Sequence, residues 1–168
     1  ISALFGFVEH TDKTEKPGRR AIELASNEDL VECFKVFLYN FQYPGAHIKP
    51  KNVLEQIENG IHFKPAQYIL KLLKFANREG GNSVGITKYE ACHCIFNDLR
   101  VTRDNEGVEK TWERISENRK KKLEYDQTGD VVRYAGDILD YMEIANLLKT
   151  YDSYTYYLNT LEEEAVIK

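Results

Sequence analysis

Three residue patterns in this chain have the types and spacing to do chemistry. The first is Cys92, His93 and Cys94, inside the stretch GITKYEACHCIF at 85–96. Two thiols and an imidazole together suggest zinc. Zinc, however, takes about four N or S ligands, usually drawn from two separated pairs. Three consecutive positions on a helix fan their side chains around it. Cys33 with His10, His47 or His62 would have to complete the set from distant positions. The same stretch has a second reading as a helix start. Thr87 followed by Glu90 has capping-box spacing, with the Thr hydroxyl taking the amide of residue 90 and Glu90 reaching back to the amide of Thr87. The expectation is packed thiols with Tyr89, Cys92, Phe96 and Leu99 spaced for burial, and no bound metal.

The second pattern is the carboxylates. A Mg2+-dependent phosphodiesterase site of the acid-x-lysine type needs an acid two residues before a lysine, holding the metal beside a cation. No lysine of the 168 residues has Asp or Glu at that position. There is no Gly-rich phosphate loop and no Ser/His/Asp motif. The chain by itself is therefore expected to be non-catalytic, with no cofactor of its own.

The third pattern is cationic. ENRKKK places Arg119, Lys120, Lys121 and Lys122 in succession. Side chains about 100° apart on a helix let roughly half of such a run face one phosphate backbone. Arg19 and Arg20, Arg100 and Arg103, and Lys49 and Lys51 beside Pro50 are further candidates for phosphate contact.

Elements must hold these residues in place. LFGFV (4–8) predicts a short strand, and GRRAIELA (18–25) a short helix. Ser26 or Asn27 then caps an amphipathic helix over 28–42, with Leu30, Phe34, Phe37, Leu38 and Phe41 at helical spacing. Pro44, Gly45 and Pro50 break it. KNVLEQIENG is a short helix stopped at Gly60. Pro65 suits the first turn of the next helix, whose apolar face is Ile69, Leu72, Leu73 and Ala76. A capped helix over 86–98 follows, then a long helix from 105 to about 125 with Val108, Trp112, Ile115 and Leu123 inward. After the turn QTGD comes a helix over 137–149, then a Tyr-rich hairpin or arm at 151–160, and a tail, LEEEAVIK.

Composition bounds the class. An apolar content of 42%, with 11 Tyr and 8 Phe, supports a real core. Three cysteines argue against a disulfide framework and for a reducing, cytoplasmic setting. No apolar run reaches membrane-span length, so no membrane partner is expected. A net charge of −4 gives no global pull towards nucleic acid, so DNA contact must come from a local patch. The chain opens at Ile1 in mid-pattern, as a piece of a larger protein would.

The element order is that of a mainly α, helical winged-helix (helix-turn-helix-like) architecture with short β wing strands. Residues 1–60 would be the C-terminal part of a first winged unit with linking helices. Residues 61–168 would be a second winged unit with a long inserted helix. In a winged helix the third helix enters the major groove. Here that is 137–149, presenting Asp140, Tyr141, Glu143, Asn146 and Lys149 and entered past Arg133 and Tyr134. Asp140 and Glu143 would repel phosphates, and packing on another domain is the competing use of this helix.

VFLYNFQYPGAH, KPAQYILKLLKFA, GITKYEACHCIF and DILDYMEIANLLKTYDSYTYYLN, in this order and spacing, resemble the DNA-recognition region of type IIS restriction endonucleases and their nicking relatives, the AlwI-type family. The FQYP turn at 41–44 is the most specific piece. The resemblance implies sequence-specific recognition of double-stranded DNA. It also implies a C-terminal nuclease domain of the same parent chain, which would use Mg2+. The alternative class is a non-enzymatic winged-helix regulator or protein-interaction module, which the net acidity favours.

Overall fold

The computed structural model describes residues 7–10, 13–26, 29–45, 50–81 and 83–159. Part of the expected 4–8 strand, Asn27, Lys49 and the tail from 161 lie outside these residues. A small hairpin, β1 (Val8–His10) with β2 (Glu15–Pro17), leads into α1 (Arg19–Ala25). Ser26 closes α1, its hydroxyl donating to the Ile22 carbonyl at 2.8 Å. The cap of α2 (Leu30–Asn40) is therefore not Ser26 but Asp29, which accepts the Val31 N–H at 3.0 Å. A carboxylate there serves the amide and the positive helix end together.

Phe34, Phe37 and Leu38 of α2, with Phe41 after it, are buried as their spacing requires. The FQYP turn then pairs with the chain ahead of the fourth helix: the Tyr43 and Phe63 amides and carbonyls exchange hydrogen bonds at 2.8 and 3.1 Å. Between them stands α3 (Pro50–Glu58), followed by Gly60 at φ +76°. Pro65 opens α4 (Pro65–Gly80), and Gly81 ends it in the left-handed conformation at φ +69°. Glycine adopts this region without steric cost.

β3 (Gly85–Thr87) runs into α5 (Lys88–Ala91) through the expected capping box. The Glu90 N–H donates to the Thr87 hydroxyl at 3.1 Å, and Glu90 Oε2 accepts the Thr87 N–H at 2.9 Å. The expected regular helix to 98 does not continue. Cys92–Phe96 forms a π-helical turn, with the Asn97 N–H reaching the Cys92 carbonyl at 2.9 Å. The wider turn rotates the face. Ala91, Cys92, Cys94 and Ile95 are buried, whereas Leu99 is 51% exposed.

α6 (Leu99–Thr102) leads to α7 (Val108–Lys120), shorter at both ends than the expected 105–125. Leu123 lies beyond it and is exposed. α8 (Asp130–Ile144) begins earlier and stops sooner than 137–149, because Asn146 turns left-handed at φ +57°. β4 (Leu148–Thr150) and β5 (Thr155–Leu158) close a three-stranded antiparallel sheet of order β3–β5–β4, with Ile86 opposite Tyr156 and Thr150 opposite Tyr156 from the other side.

One apolar core joins these elements. Ile69, Leu72 and Leu73 of α4 meet Ile86, Ile95, Ile115, Leu139, Met142 and Tyr156. Each fully buried aliphatic side chain of this kind contributes about 1.5–3 kcal/mol. α6 and α7 are held by a buried polar chain. Tyr68 shares a 2.8 Å hydrogen bond with Thr111, and Thr111 donates to Glu106 at 2.9 Å. Arg114 reaches Glu106 at 2.6 Å and Asp98 at 3.1 Å.

Candidate nucleic-acid interface

Tyr43, Phe63 and Phe96 meet edge to face, Phe96 lying 5.9 Å from Tyr43 and 5.8 Å from Phe63 between ring centroids. They contribute to the lining of a groove of about 1000 Å³. One wall is α3, which presents Asn52 and Gln56 to the groove, continued by Asn59 in the turn after it. Asn52 and Gln56, four residues apart, share one face of the helix. The other wall is made by Asn97, Arg103 and the opening turn of α8, Asp130, Val131 and Tyr134. The segment between α3 and α4 is fixed to α6 by the His62 N–H, which donates to the Thr102 carbonyl at 3.1 Å. Four side-chain amides thus share a groove with a guanidinium. Asn and Gln carry a donor and an acceptor side by side, the pattern that pairs with adenine, and Arg pairs with guanine.

The sequence candidates meet different fates. Arg119 is not a free cation. It grips Glu90 at 2.6 and 2.8 Å, donates to the Gly85 carbonyl at 2.7 Å and lies over Trp112 at 5.2 Å. Lys120, Lys121 and Lys122 remain exposed at the end of α7, Lys121 within 3.6 Å of Glu117. Arg133 and Tyr134 lie in α8 itself, not ahead of it; Arg133 reaches Asp130 at 3.1 Å and stands over the Tyr134 ring. Tyr141 does not point outward: its ring packs on Phe34 at 5.7 Å and Phe37 at 6.3 Å. Asn146 sits in the turn after α8 and Lys149 in β4, so neither is on the helix. Asp140 accepts a hydrogen bond from the Tyr156 hydroxyl while remaining exposed, so one of the two acids is engaged within the chain.

Of the arginines, Arg100 folds back on Asp98 at 2.7 Å, and Arg103 pairs with Asp104 at 2.7 Å while lining the groove. Arg19 pairs with Glu23 at 2.6 Å, and Arg20 is half-buried on α1. α2 covers the middle of α8, so the part of α8 that opens on the groove is its first turns. The Cys-His-Cys run disperses. Cys92 is buried with Val132 and Ala135, Cys94 faces the Tyr125 hydroxyl at 3.4 Å, and His93 stacks on Tyr125 and donates to the Asp126 carbonyl at 2.7 Å. Burial pushes the Cys92 thiol up to about 11. Among the described residues no three His, Cys, Asp or Glu side chains converge as a metal requires.

The model of one protein family, the N-terminal region of the restriction endonuclease BpuJI, matches residues 1–168. The chain belongs to the BpuJI restriction endonuclease N-terminal family. A solved structure of the BpuJ1 endonuclease binding domain, crystallised in complex with pyrene- and phenanthrene-modified DNA, has the same fold. The TM-score is 0.81 and the identity 24%, over 97% of this chain and 59% of that one. The chain thus spans somewhat under two thirds of the length of that solved chain. No curated protein matches it. No helix among the described residues is long and apolar enough to cross a membrane.

Within this BpuJI-family chain, the amides of α3 carry no signal of their role in the sequence. Asn52 and Gln56 stand in a helix in which Leu54 and Ile57 are exposed, and Asn59 stands just after it. The usual assumption, apolar face inward, points the amides to solvent. Only the position of α3 beside α6 and α8 turns them into a groove wall.

Proposed function

We propose that this chain is the recognition part of a type IIS restriction endonuclease and reads a specific sequence in double-stranded DNA. The observation that carries this reading is membership of the BpuJI N-terminal family over residues 1–168. The solved relative with a DNA ligand supports it. The topology supports it too. α4, β3, α5, α8 and the β4–β5 hairpin follow in the order of a winged helix, and the strand order β3–β5–β4 is that of its wing sheet, with α6 and α7 inserted ahead of the third helix. In helix-turn-helix proteins the N-terminal residues of the recognition helix meet the base edges. Base edges here are assigned to the groove at the start of α8, with Asn52, Gln56, Asn59 and Asn97 as amide readers and Arg103 as a guanine or phosphate contact after release from Asp104.

The closer kinship to AlwI-type enzymes rests on the FQYP turn. Cleavage would belong to a Mg2+-dependent nuclease domain elsewhere in the parent chain, in the cytoplasm. The division at residue 60 separates the remnant of a first winged unit from the second.

The test is an electrophoretic selection of bound duplexes from a random pool. One enriched site is expected, and Asn52→Ala and Gln56→Ala should each reduce preference for it by about 1–3 kcal/mol while leaving affinity for random duplex nearly unchanged. Arg103→Ala should do the same if it meets guanine and weaken both duplexes alike if it meets phosphate. A selection that enriches nothing sinks the proposal. It would favour the second reading, a protein-interaction module, to which the exposed Leu54 and Ile57 on the outer side of α3 point.

A further inference from the structure

α4 buries Ile69, Leu72, Leu73 and Ala76 completely. Its opposite side carries Lys64, Gln67, Lys71, Lys74 and Arg78. Residues three and four apart are neighbours on a helix surface, so these five form one row. Lys71, Lys74 and Arg78 are exposed, and Lys64 and Gln67 are half-buried. No acid stands in the row. Among the described residues none of its four cations forms an ion pair. Lys64 lies over the Tyr39 ring at 5.6 Å and Arg78 over Phe75 at 5.9 Å, contacts that leave their charge uncompensated.

Most of the arginines are neutralised within the chain. Arg19, Arg100, Arg103, Arg114, Arg119, Lys121 and Arg133 are each held by a carboxylate of the chain itself. In a protein of net charge −4, four cations in one helical row with no acid among them make a local positive patch. One end of the row opens on a cleft of about 360 Å³ lined by His62, Phe63, Lys64, Gln67 and Lys71. Glu106 at the same cleft is neutralised by Arg114 at 2.6 Å. Phe63 also lines the amide groove, so groove, cleft and row adjoin.

We propose that the Lys64–Arg78 row tracks the sugar–phosphate backbone of the duplex whose base edges enter the amide groove. The proposal rests on the DNA-recognition reading above. At 1.5 Å per residue the row is about 21 Å long. A strand winds around the duplex and does not run straight beside a helix, so the four cations of the row can meet at most about four phosphates of one strand. Lysine ammonium groups act there as point charges and carry no sequence information, so the row sets register and affinity while the groove sets sequence.

The test uses the full-length protein without divalent metal and a random-sequence 30-bp duplex labelled for fluorescence anisotropy, over a series of salt concentrations. Lys71→Glu/Lys74→Glu/Arg78→Glu should weaken binding about 10- to 100-fold near 0.1 M salt and lower the slope of log affinity against log salt by about 2 to 3. Lys71→Gln/Lys74→Gln/Arg78→Gln should lower the slope by the same amount, and its neutral side chains guard against a fold disturbed by charge reversal. Preference for the selected site should survive in both. Wild-type slope and affinity in the Gln variant overturn the row while leaving the recognition reading standing. Wild-type protein that binds no duplex overturns both. Loss of site preference with an unchanged salt slope overturns the proposal by making the row a base reader.

Discussion

Arg119 and Glu90 form a two-pronged ion pair, at 2.6 and 2.8 Å, that ties the end of α7 to the capping box of α5 and, through the Gly85 carbonyl, to β3. Glu90 is therefore shared: one carboxylate serves the Thr87 amide and the Arg119 guanidinium together. A basic residue inside a run of four is thus a structural clamp, and of that run Lys120, Lys122 and the exposed Lys121 beside Glu117 are left to meet a ligand.

Removing Arg119 should leave the buried Glu90 carboxylate without its cation, and removing the Glu90 charge should leave the partly exposed Arg119 without its anion. Arg119→Ala and Glu90→Gln should each cost about 1–3 kcal/mol, below the range for a fully buried pair because Arg119 is partly open to water. Urea denaturation of both single variants and the double variant checks this. The double variant should lose clearly less than the sum. Strict additivity would mean the two residues act independently.

Gly85 makes room for the sheet. A Cβ there would stand 2.6 Å from Thr155 Cγ2 and 2.7 Å from Tyr157 Cε1, both on the paired strand. Gly85→Ala should destabilise by about 1–3 kcal/mol, the usual cost of overpacking. Thermal unfolding of the variant reads the effect, and an unchanged midpoint would show that the Tyr157 ring simply swings aside.

The Lys120–Lys122 run should touch phosphates, not bases. Replacing all three with Glu should weaken binding to selected and random duplex alike, with a salt slope lower by about 0.9 for each phosphate left without its cation. Folding should persist, because the three side chains lie at the exposed end of α7. Comparison of anisotropy titrations at several salt concentrations decides it. An unchanged slope would make the run a solvated helix end.

Acid should loosen α6 and α7 first. Burial raises the Asp98 carboxyl, but the side-chain and amide hydrogen bonds of Arg100, joined by Arg114, outweigh it and hold Asp98 below its ordinary range. The folded value is the lower one, so the carboxylate stabilises the fold above about pH 3.9, and this contribution is lost as pH falls through the folded value. Asp98→Asn should be less stable at neutral pH and show a shallower decline between about pH 5 and 2. Denaturation curves across that range test it, and a variant with the wild-type pH profile would show that Asp98 has no part in the acid response.

Much of this chain is legible in local chemistry. Phe34, Phe37, Leu38 and Phe41 declare an amphipathic helix, Thr87 and Glu90 declare its neighbour's start, and Pro65 with Gly81 brackets α4. Each signal works within a few residues, through side-chain periodicity or a backbone hydrogen bond, and needs no knowledge of the rest of the chain. The absence of acid-x-lysine spacing is likewise a property of the sequence as written. Partners far apart in sequence were decided by the tertiary structure. Arg119 meets Glu90, Tyr141 turns to Phe34, Asp140 takes the Tyr156 hydroxyl, and α3 faces its amides into a groove instead of its leucine and isoleucine. The reason is physical: whether a charged or amide side chain is spent inside the molecule or left for a ligand depends on which groups packing brings within about 3 Å of it, and no spacing along the chain encodes that distance.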